Sequence, residues 1–173
     1  MDATKQGGTD GKMDMEYIYH QYSLPLKKYI YSMCHDSDLS DDIVSETFYR
    51  AIKNIDSFYG GNMFTWLCTI AKHTYFNYTK KKETQNVSLE ESQQVEPVST
   101  EQIEDAVIQK ERSMDLYKAM QYLESQERDV VYLRTFAELS FKEIGEVVGK
   151  SENWARVTYF RCKEKLKRRM SNA

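Results

Sequence analysis

Residues 139–169 read LSFKEIGEVVGKSENWARVTYFRCKEKLKRR. Phe141, Ile144, Val147 and Val148 recur at helical spacing, which predicts a short helix over Ser140–Val148 with one apolar side. Gly149 suits a left-handed helix end, and Ser151 suits the cap of a second helix over Ser151–Arg169. A short helix, a tight glycine turn and a capped basic helix make the helix-turn-helix pattern. Spacing residues of the second helix about 100° apart gathers Ala155, Tyr159, Cys162 and Leu166 on an inward side. Asn153, Val157, Phe160 and Arg161 project away, with Arg156 and Lys163 on the flank. Arg and Asn can bond to base edges, and apolar groups can touch thymine methyls. Lys165, Lys167, Arg168 and Arg169, farther along, suit phosphates. A plain three-helix bundle with a basic last helix fits the same residues, so the rest of the chain has to decide.

Upstream, a helix is expected over Gln126–Phe136, and helical pattern begins near Glu101 with Ile103, Ala106, Val107, Met114, Tyr117, Met120 and Leu123 as core positions. Residues 83–102 are polar and acidic, contain Pro97 and lack periodicity, which predicts a flexible linker. Before it, a helix from Met63 to about Thr79 carries Phe64, Leu67, Ala71, Thr74 and Tyr78 on one side and Trp66, Ile70, His73 and Lys80 on another. Asp56–Asn62 is a turn whose Gly60-Gly61 pair allows positive φ. A helix over Asp41–Ile55 has the stripe Val44, Phe48, Ala51 and Ile55, with Asp38 or Ser40 as its cap. Met15, Ile18, Tyr22, Leu26, Tyr29 and Met33 line a first helix that Pro25 should kink or restart. Residues 1–13 read as a disordered tail. No useful period-2 alternation occurs, so the expected fold is all-α. It comprises two small helical domains, residues 14–82 and 103–173, joined by the linker.

Length bounds the chain to one or two small domains: 173 residues, with only 7 Gly and 2 Pro for turns. No apolar run is long enough for a membrane span, so no membrane insertion is expected, and the polar start gives no secretory signal. Cys34, Cys68 and Cys162 are odd in number and far apart, which favours reduced thiols and a cytoplasmic location over disulfides. Metal-ligand and nucleotide-binding strings are absent, so no metal and no cofactor is expected. Net charge is −3, yet it is unevenly spread. Lys80, Lys81 and Lys82 close the first block, an acidic strip follows, and Arg156–Arg169 holds seven basic residues against one acid, Glu164. Clustered basic charge marks a phosphate-facing surface better than the total does, although solvated helix ends also collect cations.

The order of the blocks resembles a group 4, extracytoplasmic-function (ECF) sigma factor of bacterial RNA polymerase. Asp41-Asp42-Ile43-Val44-Ser45-Glu46-Thr47-Phe48 resembles the family's region 2 core-binding motif. Phe64-Thr65-Trp66-Leu67-Cys68-Thr69-Ile70-Ala71-Lys72-His73 resembles its F-x-x-W-L-x-x-I-A-x-N helix. Glu127-Arg128, Leu139–Gly145 and Arg161–Leu166 resemble region 4. Ser45 stands where Gln is usual, His73 and Asn77 where Asn and Asp are frequent, and Asn153-Trp154-Ala155-Arg156 where G-T-V-K is common.

The resemblance implies a transcription initiation factor, not an enzyme. Asp41, Asp42, Val44, Ser45, Glu46, Phe48, Tyr49, Arg50 and Lys53 would dock on the clamp helices of the polymerase largest subunit. Tyr59, Asn62, Met63, Trp66, Lys72, His73, Phe76, Asn77, Lys80 and Lys81 would read and melt the minus-ten promoter element, with Asn62 at a flipped base. Ser151, Asn153, Trp154, Arg156, Val157, Phe160, Arg161, Lys165, Lys167 and Arg168 would bind the minus-thirty-five element as duplex. The flap of the second-largest subunit and an anti-sigma factor are the further partners implied. Two rival readings are another helix-turn-helix regulator with a sensing bundle, and a helical enzyme. The latter lacks any paired His or carboxylate motif.

Overall fold

The computed structural model describes residues 13–85 and 114–172, and among them every regular element is helical. The expected tail, nearly all of the expected linker, and Ile103, Ala106 and Val107 lie outside the described residues. The elements are α1 (Met15–Cys34), α2 (Ser37–Lys53), α3 (Met63–Thr84), α4 (described over 114–120), α5 (Ser125–Thr135), α6 (Phe141–Val148) and α7 (Glu152–Ser171).

Asp14 caps α1, accepting from the Glu16 and Tyr17 amides at 3.1 and 3.2 Å. The helix runs through Pro25 without restarting, because Leu26, Tyr29 and Ile30 directly after it are fully buried and fix the chain. It ends at His35, whose φ of 54° lets its amide donate to the Tyr31 carbonyl at 2.9 Å. The start expected for α2 is corrected: Asp36 is the cap, accepting from the Leu39 amide at 3.0 Å. Ser40 lies inside the helix, buried, with its hydroxyl donating to the Asp36 carbonyl at 2.6 Å. Val44, Phe48 and Ala51 are buried as their spacing requires, and Ile43 and Thr47 widen that stripe. The expected end of α3 near Thr79 is also corrected. Lys80–Lys82 continue the helix to Thr84, since Lys is a good helix former and its charge suits the negative end of the macrodipole.

In the second block, Arg128 of α5 donates to the Met120, Gln121 and Leu123 carbonyls at 3.2–3.4 Å. These carbonyls belong to the end of α4 and the turn after it, and the Met120 carbonyl also accepts from the Leu123 amide at 3.0 Å. Ser140 and Glu143 cap α6 reciprocally: the Glu143 amide donates to the Ser140 hydroxyl at 3.2 Å, and the Ser140 amide to the Glu143 carboxylate at 2.7 Å. Gly149 closes α6 at φ 68°, and Ser151 caps α7 by accepting from the Trp154 amide at 3.1 Å. A side chain at Gly145 would begin 2.7 Å from the Lys150 carbonyl oxygen, so glycine lets α6 approach the turn.

α1, α2 and α3 pack together, and α5, α6 and α7 do likewise. The blocks also pack on each other, with α3 along α6 and α1 against α5. Tyr29 meets Tyr132 across that seam, with ring centroids 5.8 Å apart. Among the described residues, no helix is long and apolar enough to cross a membrane.

Candidate nucleic-acid interface

The recognition helix α7 is oriented by the side it buries. Ala155, Thr158, Cys162 and Leu166 are buried. Tyr159, expected among them, is only half-buried, and Thr158 takes its place. That small hydroxyl residue carries little hydrophobic signal. Ser151, Asn153, Arg156, Val157, Phe160 and Arg161 are all exposed, and Trp154 is half-buried beneath the Lys150 ammonium, 5.7 Å from its ring centroid. Arg156 is held by Glu152 at 2.6 Å and lies over the Phe141 ring at 5.5 Å. Farther along, Lys167 and Arg168 are exposed, while Lys165 donates to Glu127 at 2.7 Å.

At the start of α3, Gly60 and Gly61 hold φ values of 95° and 90° and present Tyr59, which is 95% exposed. Asn62 caps α3: its Oδ1 accepts from the Phe64 and Thr65 amides at 2.9 and 3.4 Å. Its Nδ2 donates to Glu143 of α6 at 2.9 Å. Partial burial pushes the Glu143 carboxyl up, but hydrogen bonds from the Ser140 backbone and Asn62 outweigh this and hold it below its ordinary value. Met63 and Trp66 are half-buried, Trp66 tilted against Phe58 at 5.3 Å. His73, Phe76, Asn77, Lys80 and Lys81 are exposed along one side of α3.

Lys72 departs from the sequence expectation. It is buried and ion-paired to Asp129 of α5, whose side chain is 2% exposed. Its step along α3 turns it toward the second block, which no local pattern reveals. Burial pushes the Asp129 carboxyl up, and the Lys72 charge pulls against that shift.

On α2, Asp41, Asp42, Ser45, Tyr49 and Lys53 are exposed. Val44 and Phe48 are corrected as contact residues: they face the core, because they form the stripe that packs the helix. Glu46 pairs with Arg50 at 2.7 Å, Asp41 with Lys27 at 2.8 Å, and Lys53 lies over the Tyr49 ring at 4.4 Å. Ile52, 54% exposed beside Tyr49, was not singled out by its sequence context; an apolar residue off the stripe is its only signal. Asp129 has no such signal, and Glu143 has only its capping-box spacing from Ser140, which says nothing of its bond to Asn62.

His35 joins the blocks as well, its Nδ1 3.3 Å from the Tyr117 hydroxyl of α4. Tyr31 and Tyr117 flank its ring edge-on, and Arg128 and Gln121 complete its polar surroundings. Burial, then the Arg128 charge, lower the His35 pKa against a raising hydrogen bond from Gln121. Its share of stability is therefore full above the unpacked value of about 6.5 and is lost as pH falls through the packed value. Thermal unfolding at about pH 7.5 and about pH 5.5 is expected to show a lower Tm in acid, and His35→Gln a smaller fall. An equal fall in both chains would assign the acid loss elsewhere.

Cys68 and Cys162 are buried and Cys34 is half-buried, all as free thiols. Among the described residues, no three His, Cys, Asp or Glu converge as metal ligands.

Residues 18–84 match the model of Sigma-70 region 2, and residues 119–168 match that of Sigma-70, region 4. The chain is 29% identical to RNA polymerase sigma factor YlaC of Bacillus subtilis (strain 168), over 92% of this chain and 93% of that one. It is 30% identical to ECF RNA polymerase sigma factor SigW of the same organism, over 96% and 92%. Its fold is similar to that of the sigma factor RpoE in complex with the anti-sigma factor NepR from Bartonella quintana. That likeness has a TM-score of 0.72 at 20% identity and covers 91% of this chain and 97% of that one. The chain therefore belongs to the sigma-70 family, as an ECF RNA polymerase sigma factor that directs core polymerase to promoters and is not itself an enzyme.

Proposed function

We propose that residues 14–82 form the unit that grips core polymerase and reads the minus-ten element, and residues 103–173 the unit that reads the minus-thirty-five element, with 83–102 linking them. The observation that carries this is the single exposed face of α7, where Asn153, Arg156, Val157, Phe160 and Arg161 stand clear just after the Ser151 cap. That end of the helix enters the major groove in helix-turn-helix proteins. The exposed run His73, Phe76, Asn77, Lys80 and Lys81 on α3 supplies stacking surface and cations for a displaced strand. An open groove of about 1040 Å³ between α4 and the end of α7, lined by Leu123, Leu166 and Met170 together with Lys118 and Arg168, suits the polymerase flap. The factor works in the cytoplasm, where transcription occurs, and is restrained by an anti-sigma factor, as RpoE is bound by NepR in its complex.

Run-off transcription with core polymerase, this chain and genomic promoter fragments tests the function; no promoter-specific product would refute it. Charge reversal at Asp42 and Glu46 should weaken core binding while leaving helix content intact, and unchanged affinity would remove α2 as the dock. In holoenzyme binding to a library of upstream elements, Arg156→Ala should cost about 1–3 kcal/mol and relax preference at one position. Lys167→Ala should weaken all sequences alike and lower the salt slope by about one unit. The reverse pattern would mean that α7 enters the groove by another face.

A further inference from the structure

We propose that Phe141 and Glu152 are positioning residues for promoter choice: they brace the Arg156 guanidinium from two sides, so that it meets a base edge already placed. This rests on the reading of α7 as the minus-thirty-five helix.

By spacing, Phe141 belongs to the apolar side of α6, yet it is only half-buried, unlike Ile144, Val147 and Val148. Its ring lies beside the exposed side of α7, with its centroid 5.6 Å from that of Tyr159 and 6.1 Å from that of Phe160. Two guanidinium groups share this ring: Arg156 of α7, 5.5 Å from the centroid, and Arg134 of α5, at 4.6 Å. Arg134 is itself tied down, since its Nη1 donates to the Leu139 carbonyl at 2.9 Å just before α6. Phe141 is thus held by Arg134, Tyr159 and Phe160, and can in turn hold Arg156.

The second brace comes from the first turn of α7. The Arg156 Nη2 donates to the Glu152 Oε1 at 2.6 Å, one helical turn back. Acid before base at this spacing is the favourable order, and Glu152 also suits the positive end of the helix. A ring face attracts the charge without taking up an N–H, and Glu152 takes one of the guanidinium's N–H groups. Donors therefore remain for the O6 and N7 acceptors of a guanine. An unrestrained arginine gives up rotamer freedom when it binds, and one placed beforehand gives up less. That gain arises only where the placed donors meet their own base, so the brace sharpens preference and leaves general grip to the phosphate contacts.

The test is holoenzyme binding to a library of upstream elements at two salt concentrations, with Arg156→Ala marking the base position that this arginine reads. Phe141→Leu keeps an apolar side chain for packing and removes the ring face. It is expected to lower discrimination at that one position about two- to fivefold, leaving the other positions and the salt slope at wild-type values. Phe141→Tyr keeps the ring and should restore wild-type discrimination. In an Arg156→Ala chain, Phe141→Leu should remove nothing further. Glu152→Gln should lower discrimination at the same position, and it carries the test if Phe141→Leu loses helix content. A Phe141→Leu loss that is equal across all sequences, or that adds in full to Arg156→Ala, would overturn the brace. Unchanged discrimination in a folded Phe141→Leu chain would overturn it too. An Arg156→Ala chain that relaxes no position would instead overturn the reading of α7, and the brace with it.

Discussion

Lys72→Met is expected to remove about 3–5 kcal/mol from the docked chain, because it leaves the Asp129 carboxylate buried without a countercharge. Replacing both partners, as Lys72→Met with Asp129→Leu, is expected to recover most of that loss, since an apolar pair has no charge to desolvate. The pair joins α3 to α5, so the loss should appear as uncoupling of the two blocks. Scanning calorimetry should show one transition in wild type and the double variant, and two in Lys72→Met. A single, unshifted transition in Lys72→Met would mean that the pair contributes nothing to docking.

The second large effect is expected at Gly145. An added Cβ would lie 2.7 Å from the Lys150 carbonyl oxygen, 3.2 Å from the Ser151 carbonyl carbon and 3.3 Å from the Glu152 nitrogen. All three are backbone atoms of the turn after α6 and the first residue of α7, so no side-chain rotation relieves the overlap. Gly145→Val should therefore cost about 1–3 kcal/mol through overpacking and push α7 away from α6. Gly149→Ala meets open space and suffers only its φ of 68°. That should cost roughly 1 kcal/mol. Thermal unfolding with binding to duplex upstream elements separates the two. Gly145→Val should lose binding along with stability, and equal behaviour of the two variants would deny that Gly145 sets the helix separation.

The elements most legible in the sequence are those fixed by short-range chemistry. Ser140 with Glu143, Gly149 and Ser151 mark the ends of α6 and α7 because each cap satisfies backbone groups within a few residues of itself. Where several capping residues compete, sequence reading slips. Asp36, Asp38 and Ser40 all qualify as starts for α2, and burial of Ser40 selects Asp36. Periodicity identifies Val44 and Phe48 as a stripe, and the same stripe removes them from the contact surface. What periodicity cannot give is the partner of a helix face. Asp129 reads as one more charge on α5, and its pairing with Lys72, 57 positions away, depends on how two blocks meet. The candidate DNA residues on α7 were legible because an exposed face is simply the complement of a buried one.

The seam between the blocks also has a consequence for biosynthesis. Its ties span 57, 81 and 82 positions along the chain, so none can form until the part of the second block that carries Tyr117, Asp129 or Glu143 has been made. α3 ends at Thr84 and α6 at Val148. The ribosome needs about 3–13 s to add the intervening residues at its usual pace of 5–20 per second. The exit tunnel delays both ends alike. During that interval the nascent first block emerges before Glu143 and Asp129 are both in place, so Asn62 and Lys72 meet solvent before they meet their partners.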